Sequence, residues 1–160
     1  MSNGNFIICG FPGVGKTTAA KNRNILDMES SGFHYKFDPE SREFTPNPDW
    51  PTNYLDAIEQ AYLNDHNEII LTSTHEDVVL SLLNNRELPV IVVVPEATLR
   101  NEYMIRYLKR GSDPEFIYSM YNNWLGYIEK IYRLVTNDGR KVPVINLKSG
   151  QYLSDVLPMY

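Results

Sequence analysis

The chain has 160 residues, of which 42% are hydrophobic and 22% charged, a length and balance that predict one globular domain over residues 1–160. Its net charge of −5 argues against a protein that coats duplex DNA, because phosphate contacts dominate affinity for nucleic acid. Cys9 is the only cysteine, which excludes an intrachain disulfide and a cysteine-cluster metal site. No apolar run reaches the roughly 20 residues of a membrane span, and residues 1–5 lack signal-peptide features, so we expect a cytoplasmic protein without a membrane partner.

Five short runs, most of them rich in β-branched residues, predict buried parallel strands. In chain order they cover residues 6–9, 24–27, 69–72, 90–94 and 142–146, and the second is the weakest. Pro143 has no backbone N–H to donate, which favours a strand start or a sheet edge for the last run.

Helical patterns separate these runs. We expect a short helix of about two turns from Gly15 and a fifth helix that starts near Asp113, with helices over residues 54–64, 76–84 and 96–109 between them. Thr74 has capping-box spacing to Asp77 and is the predicted N-cap of the third helix. The fifth helix has a core-facing stripe at Ile117, Tyr121, Trp124, Ile128, Ile131 and Val135.

The alternation of strands and helices predicts a three-layer α/β fold with a five-stranded, mostly parallel sheet and helices on both faces. Ligands in such folds bind beyond the carboxyl ends of the strands. Residues 39–51 hold four prolines with the aromatic residues Phe44 and Trp50, follow closely on Phe37, and are less regular. We expect them to form an ordered loop over that end of the sheet, since disordered linkers rarely carry so many aromatic side chains.

A glycine loop follows the first strand and precedes the first helix. Residues 10–17 read Gly-Phe-Pro-Gly-Val-Gly-Lys-Thr and match G-x-x-x-x-G-K-[ST] in full. In this motif the backbone amides and the lysine bind the phosphates of a nucleoside triphosphate, and the threonine hydroxyl coordinates Mg²⁺. We therefore expect ATP and Mg²⁺ as ligands. The predicted ATP contacts here are Gly10, Pro12, Gly13, Val14, Gly15, Lys16, Thr17 and Thr18.

Two carboxylates, Asp27 and Glu29, come at the end of the second predicted strand, and their spacing places them on one side of it. One could hold Mg²⁺ together with Thr17, and the other could accept the proton of an attacking hydroxyl. The third strand ends at Ser73 without the aspartate that usually closes the Walker B strand, which makes the second-strand acids the better metal partners.

Three histidines differ in their predicted placement. His75 lies at the end of the third strand, where it could contact a phosphate or a substrate hydroxyl or fix the local turn. His34 and His66 have no such placement, and we expect both at the surface. Glu76 and Asp77 are explained more simply as first-turn charges that suit the helix dipole.

A basic segment over residues 100–111 predicts a helical lid, which extends to about residue 116. Arg106 and Arg110 are four residues apart and share a helix face, and Gly111 then ends the helix. Arginines on such a lid close over transferring phosphates and neutralise developing charge. The alternative is an amphipathic helix with a solvated basic face.

With these motifs, the whole chain resembles small P-loop kinases of the nucleoside and nucleotide kinase group. The runs at residues 26–31 and 106–111 are similar to those of bacteriophage-encoded kinases, which would place the protein in the host cytoplasm. The resemblance implies a P-loop kinase fold with the glycine loop after the central strand, and an adenine-binding loop that includes Lys148 and Gly150. It also assigns the base or metal role of the strand-end acid to Asp27 or Glu29, as in shikimate, gluconate and polynucleotide kinases.

The sequence therefore predicts an enzyme that transfers the ATP γ-phosphate to a small nucleoside-like or nucleotide-like acceptor. Catalysis would fall to Lys16, Asp27, Glu29, Arg106 and Arg110. The predicted acceptor contacts are Ser30, Ser31, Ser73 and His75. One alternative is a kinase of hydroxymethyluracil within phage DNA, with nucleic acid as the partner. The other is a nucleotide-dependent switch, which would need a γ-phosphate sensor that we do not find.

Overall fold

A five-stranded parallel sheet forms the centre of the molecule in the computed structural model, which describes residues 5–21, 24–64 and 68–157. In this sheet the order is β2-β5-β1-β6-β7, and a separate antiparallel hairpin pairs β3 with β4. The strands are β1 (Phe6–Gly10), β2 (Ile25–Asp27), β3 (Tyr35–Asp38), β4 (Glu43–Pro46), β5 (Ile69–Thr72), β6 (Val90–Pro95) and β7 (Val144–Leu147).

Helices flank this sheet in a three-layer α/β arrangement, as the sequence predicts. They are α1 (Lys16–Ala19), α2 (Ser31–His34), α3 (Thr52–Tyr62), α4 (Glu76–Asn84), α5 (Arg100–Lys109), α6 (Pro114–Asn137) and α7 (Leu153–Val156), with a 3₁₀ turn at Ala97–Leu99. None of the helices within the described ranges is both long and apolar enough to cross a bilayer.

The central strand shows why the fold needs layers on both sides. Adjacent residues of a strand point to opposite faces, yet Ile7 and Ile8 of β1 are 0% and 1% exposed. Both faces of the sheet are therefore covered, which is the usual condition of parallel sheets. The glycine loop follows β1, the central strand, and so begins in the middle of the carboxyl edge.

The predicted strands are largely confirmed, with shifts at two of them. β7 starts at Val144 instead of residue 142, and Pro143 precedes this edge strand and accepts a hydrogen bond from Val92 through its carbonyl (3.0 Å). Asn24 is not extended but left-handed (φ 68°), and its carbonyl accepts hydrogen bonds from the amides of Glu68 and Ile69. The weak second run therefore forms a strand of three residues.

The helix predictions need more correction. α1 has four residues, about one turn instead of two, and α3 lies two residues earlier than predicted. The predicted cap at Thr74 is wrong, because His75 occupies the N-cap position without a side-chain bond and Asp77 instead accepts from the indole N–H of Trp50 (2.9 Å). The helix predicted over residues 96–109 is divided into the 3₁₀ turn and α5.

The last long helix begins as predicted, with Asp113 accepting a hydrogen bond from the amide of Glu115 (2.9 Å). Its stripe is buried or partly buried except at Tyr121, which is 44% exposed and contacts the guanidinium of Arg100. The helix is also interrupted at Asn123, whose backbone is not helical (φ −113°, ψ 15°).

The proline-rich segment is more regular than predicted. Part of it forms β4, which pairs with β3 and places Phe37 opposite Phe44. The turn between the strands is held by Asp38, whose carboxylate accepts from the Glu40 amide (3.0 Å) and the Ser41 hydroxyl (3.1 Å). A hairpin therefore replaces much of the predicted irregular loop.

Candidate functional site

A cleft of about 870 Å³ opens at the carboxyl ends of β1, β2 and β5, under α5. Most of the predicted site residues line it: Pro12, Gly13, Gly15, Lys16, Thr17, Thr18, Asp27, Glu29, Ser30, Ser73, His75, Arg106, Arg110 and Gly150. Four do not: Gly10 and Val14 are buried within the loop, and Ser31 and Lys148 are exposed away from the cleft wall. The fold thus gathers residues from five separate parts of the chain around one space.

The glycine loop has the backbone conformation that its sequence requires. Gly13 and Gly15 have φ values of 90° and 96°, a region that favours glycine. A Cβ on Gly13 would lie 2.9 Å from the ring of Tyr107, and one on Gly15 would lie 3.0 Å from the ring of Tyr152. Any larger residue at either position would therefore strain the backbone and collide with an aromatic ring.

Lys16 points back along its own loop, where its ammonium donates a hydrogen bond to the carbonyl of Gly10 (2.7 Å). Burial lowers the pKa of Lys16 to about 8, although the carboxylates of Asp27 and Glu29 act to raise it. The negative charges of Asp27 and Glu29 thus do not fully offset the cost of burying the positive charge of Lys16. A bound anion at this position would supply the missing negative charge.

The acidic pair lines the same cleft at the end of β2, and Asp27 lies next to the end of the glycine loop. The Thr17 hydroxyl donates to one carboxylate oxygen of Asp27 at 3.3 Å, while the other oxygen, Oδ1, is buried without a hydrogen-bond partner. Burial raises the pKa of Asp27, and the charge of Lys16 opposes that shift. Glu29 is exposed and accepts a hydrogen bond from the amide of Ser31 (3.2 Å).

These oxygens fit a divalent cation that takes only part of its coordination from protein. An unpartnered carboxylate oxygen beside a hydroxyl is a donor set suited to Mg²⁺, which usually keeps several waters and binds substrate phosphates. The described part of the chain holds no group of three or more metal-binding side chains. Thr17 and Asp27 would therefore hold the ion only together with a phosphate ligand and water.

Arg106 is fixed in place in the structure and does not extend from a free lid. Its guanidinium donates to the carbonyls of Gly13 and Gln151, both at 2.8 Å, and lies between the rings of Tyr103 (4.3 Å) and Tyr152 (3.9 Å). Only 9% of its side chain is exposed. This differs from the prediction that Arg106 and Arg110 act alike, because Arg106 already connects the glycine loop to the loop after β7.

Arg110 is the freer arginine. It lies one residue beyond α5, is exposed, and donates from Nε to the hydroxyl of Ser112 (2.7 Å). Gly111 follows with a φ of 76°, so the chain turns there as the sequence predicts. Arg110 and Lys109 both line the cleft and bring positive charge to its outer side.

The chain after β7 is attached to the glycine loop by a backbone bond and to α5 by bonds to the side chain of Glu102. The amide of Leu153 donates to the carbonyl of Val14 (2.7 Å), and the carboxylate of Glu102 accepts from the Ser149 hydroxyl and the Gly150 amide. These bonds lower the pKa of Glu102, the Ser149 bond most. Of the two predicted contacts in this loop, Gly150 reaches the cleft and Lys148 does not.

An aromatic cluster supports the β5 end of the cleft, and sequence reasoning misplaced one of its members. His34 is partly buried instead of lying on the surface, with its ring centroid 4.4 Å from Trp50 and 5.4 Å from His75. His75 accepts from or donates to the Ser73 hydroxyl through Nδ1 (2.7 Å). Desolvation lowers the pKa of His75, and His34 lowers it further. His66 lies outside the described residues.

Tyr54 was not predicted as a site residue, yet it determines the position of the acidic strand end. Its buried hydroxyl donates to the carbonyl of Met28 (2.5 Å) and accepts from the amide of Ser73 (3.2 Å). It therefore joins the ends of β2 and β5 directly beneath the cleft. In the sequence, Tyr54 stands out only as part of a helical pattern that follows an aromatic-rich segment. That pattern does not reveal that its hydroxyl bonds to Met28 and Ser73.

The sequence was also compared with known proteins. No protein-family model matches the chain, and no curated protein is significantly similar to it. The cleft itself combines a glycine loop with a partly buried lysine, a threonine–aspartate pair, and two arginines in different environments.

Proposed function

We propose that the protein is an ATP-dependent phosphotransferase with a P-loop kinase fold. The observation that carries this proposal is the pairing of Thr17 with Asp27 at 3.3 Å, with a second, unpartnered oxygen on Asp27, in the cleft that Lys16 also lines. Triphosphate, cation and acceptor could thus meet at one point.

The glycine loop is suited to the triphosphate. Lys16 is held in the cleft wall by a neutral carbonyl, and its lowered pKa of about 8 shows that burial there disfavours its charge. When a β- or γ-phosphate takes the place of that carbonyl, the ammonium of Lys16 donates to a charged oxygen, which is a stronger hydrogen-bond acceptor. Thr17 and Asp27 would hold Mg²⁺, which when bound neutralises charge on the phosphate oxygens.

The second strand end is suited to the acceptor. In the proposed reaction an acceptor oxygen forms a bond to the γ-phosphorus, and the bond from that phosphorus to the β–γ bridging oxygen breaks, leaving its electron pair on ADP. The acceptor proton passes to a carboxylate at the end of β2, Glu29 or Asp27. Arg110 reaches the cleft from α5 and would stabilise the charge on the transferring group, while Arg106 positions the loop.

Transfer is better supported than a switch. Residues 72–74 at the end of β5 are Thr, Ser and Thr, so this position offers no acid to arrange an attacking water. Paired acids at the neighbouring strand are the groups that a hydroxyl acceptor needs. Whether the acceptor is free or lies within DNA is decided by assay.

The test is a screen of γ-labelled ATP with the full chain against nucleosides, nucleotides, small hydroxylated metabolites, and DNA with and without hydroxymethyluracil. We expect label transfer to one class, and we expect Lys16→Met to reduce it at least about 10³-fold with loss of ATP binding. Lys21→Met is the matched control, since Lys21 is exposed and lies outside the cleft wall. Full activity in Lys16→Met would contradict the proposal, and hydrolysis without transfer to any acceptor would favour the switch.

A further inference from the structure

The residues that follow β5 lie between the two parts of the cleft that the proposed reaction uses. In the sheet order β2-β5-β1, the carboxyl end of β5 neighbours both the glycine loop after β1 and the acidic end of β2. Thr72 of β5 pairs with Cys9, just before the glycine loop begins. Leu71 pairs with Asp27 itself. Side chains just beyond β5 therefore lie near the place where a bound γ-phosphate and an acceptor oxygen would meet.

Ser73 and His75 are the two residues just beyond β5 that line the cleft. The amide of Ser73 donates to the Tyr54 hydroxyl (3.2 Å), and the hydroxyl of Ser73 is hydrogen-bonded to Nδ1 of His75 (2.7 Å). One nitrogen of the exposed imidazole is thus engaged by its own loop, which fixes the direction of the ring. The other nitrogen, Nε2, is the one that a ligand in the cleft can use.

The imidazole of His75 is neutral at pH 7. Desolvation lowers the pKa of His75 below its ordinary value of 6.5, and the charges of His34 and Lys16 lower it further. Asp77 and Glu29 act in the opposite direction and are outweighed. A neutral imidazole exchanges a hydrogen bond with an uncharged hydroxyl without adding a positive charge beside Lys16.

Two rings outside the cleft wall hold the ring of His75 in place. His34 and Trp50 have ring centroids 5.4 and 5.1 Å from that of His75. The ring of His34 is itself enclosed by Tyr35 (4.5 Å) and Trp50 (4.4 Å). Trp50 is fixed in turn, because its indole N–H donates to the carboxylate of Asp77 at the start of α4 (2.9 Å). The position and the charge of His75 therefore depend on a residue of α2 that does not reach the cleft.

Resting on the proposed function, we infer that Nε2 of His75 contacts the attacking hydroxyl of the acceptor and directs it at the γ-phosphorus, and that His34 is a positioning residue that acts through His75. The bonds that form and break are those of the proposed reaction, and the proton still passes to a carboxylate at the end of β2. Of the roles that the sequence allows His75, the contact with a substrate hydroxyl is the one selected, and a phosphate contact or a role in the turn alone is not.

The contact is tested with two amides in place of the imidazole. The amide of glutamine reaches about as far as Nε2, whereas the shorter asparagine keeps a polar group near the position of Nδ1. The label-transfer screen is repeated with His75→Gln and His75→Asn over the same nucleosides, nucleotides, hydroxylated metabolites and DNA. For the compound that takes label, we expect His75→Asn to lower kcat/KM about 10²-fold and His75→Gln to stay within about tenfold of the wild type. The Kd of ATP should change little in either variant.

The positioning role is tested in His34→Gln, with Phe37→Leu, on an exposed ring of β3, as the matched control. Removing the charge of His34 should raise the pKa of His75, so the acid limb of the pH–rate profile should move to higher pH while the plateau above it changes little. Because Asp27 must also lose its proton, the C2–H resonance of His75 is followed by NMR over the same pH range. This resonance assigns the shift to His75 and needs no turnover.

The outcomes separate the inference from the proposed function. Equal rates in the two His75 variants, a better rate in His75→Asn, or a loss of ATP affinity in either would overturn the contact with the acceptor hydroxyl. An NMR titration of His75 that is the same in His34→Gln and the wild type would overturn the positioning role. If the wild type binds ATP but transfers label to no compound, the proposed function fails and the contact fails with it, while NMR still decides the role of His34.

Discussion

Two buried tyrosines hold the two sides of the cleft, and they do so differently. On the glycine-loop side, Tyr107 donates to the carbonyl of Pro12 (2.8 Å), and its ring packs against Gly13. On the acidic side, Tyr54 joins Met28 to Ser73 and thereby connects two strands. Burial raises the pKa of both phenols, so both stay protonated donors at any physiological pH.

The two sides of the cleft differ in how many other hydrogen bonds remain when one is removed. The glycine loop is also held by Arg106 and by the amide of Leu153. Apart from the long bond from Thr17 to Asp27 (3.3 Å), the acidic strand end has the Tyr54 link and the backbone bond from Met28 to Leu71 (2.8 Å). We therefore expect the glycine loop to tolerate single deletions better. The glycine-loop side, which carries the recognisable motif, thus has more contacts to spare. The position of the acidic strand end, which would receive the acceptor's proton, is more easily disturbed.

The largest effect is expected from Asp27→Asn. Turnover should fall about 10²- to 10⁴-fold, because both the proton acceptor and the cation ligand are weakened, while ATP affinity changes little. Burial raises the pKa of Asp27, so the charge destabilises the folded protein above the ordinary value of 3.8, and removing it should maintain or raise the melting temperature. Steady-state kinetics and thermal melting measure these changes, and a stable variant with normal turnover would show that the acid is structural.

Arg106→Met should have the next largest effect. It leaves the carbonyls of Gly13 and Gln151 without their donor, and we expect a loss of about 2–4 kcal/mol in the free energy of unfolding. Urea denaturation measures this loss. Arg110→Met is the matched control, because Arg110 is exposed, and its variant should lose turnover with little loss of stability. Equal stability in both variants would contradict the positioning role of Arg106.

The two tyrosines can be compared directly as phenylalanine variants. Tyr54→Phe removes one donor and one acceptor and should cost about 1–3 kcal/mol in the free energy of unfolding, whereas Tyr107→Phe removes one donor and should cost about 1 kcal/mol. Only Tyr54→Phe should also reduce kcat. If Tyr107→Phe proved the more damaging variant, the glycine-loop side would be the one that depends more on a single contact, and the comparison would be reversed.

Glu102→Gln should have the smallest effect, about 0.5–1 kcal/mol at pH 7, because its carboxylate is partly exposed. The bonds from Ser149 and Gly150 lower the pKa of Glu102 below its ordinary value of 4.5. The stabilisation is therefore present above that pH and is lost as the pH falls through the lower folded-state value. Denaturation of both proteins at several pH values would test this, and a constant difference between them would contradict it.

Local patterns predicted the parts of the protein that depend on neighbouring residues. The glycine loop, the five central strands (two of them with shifted ends) and the helix that begins after Asp113 follow from periodicity, glycine placement and a cap. The parts that were missed depend on distant partners. Arg106 contacts Gly13 across 93 residues, a relation that no local pattern contains.

The hairpin and His34 show a second reason for failure. The pair Phe37–Phe44 is exposed, so β3 and β4 lack the alternation between buried and exposed residues that reveals a strand. Their turn ends at Arg42 with a φ of 57°, where glycine or asparagine would have been the usual signal. His34 is enclosed only because this hairpin and the following turn bring Trp50 against it.

The interruption of α6 at Asn123 lies in the wall of a space of about 320 Å³ between the end of β5 and α6. Residues 114–122 supply Phe116, Ser119 and Met120, while Tyr127, Ile131 and Leu134 follow the break. Immediately beyond it, Trp124 is anchored by its indole N–H to the carbonyl of Ala97 (2.8 Å) and packs edge-on against Phe11. A rotation of the first segment about this anchor would change the width of that space. Because Arg110 is bonded to Ser112, just before the helix, the same rotation would move Arg110, so the width of the space and the approach of the arginine to the cleft would be set by a single angle.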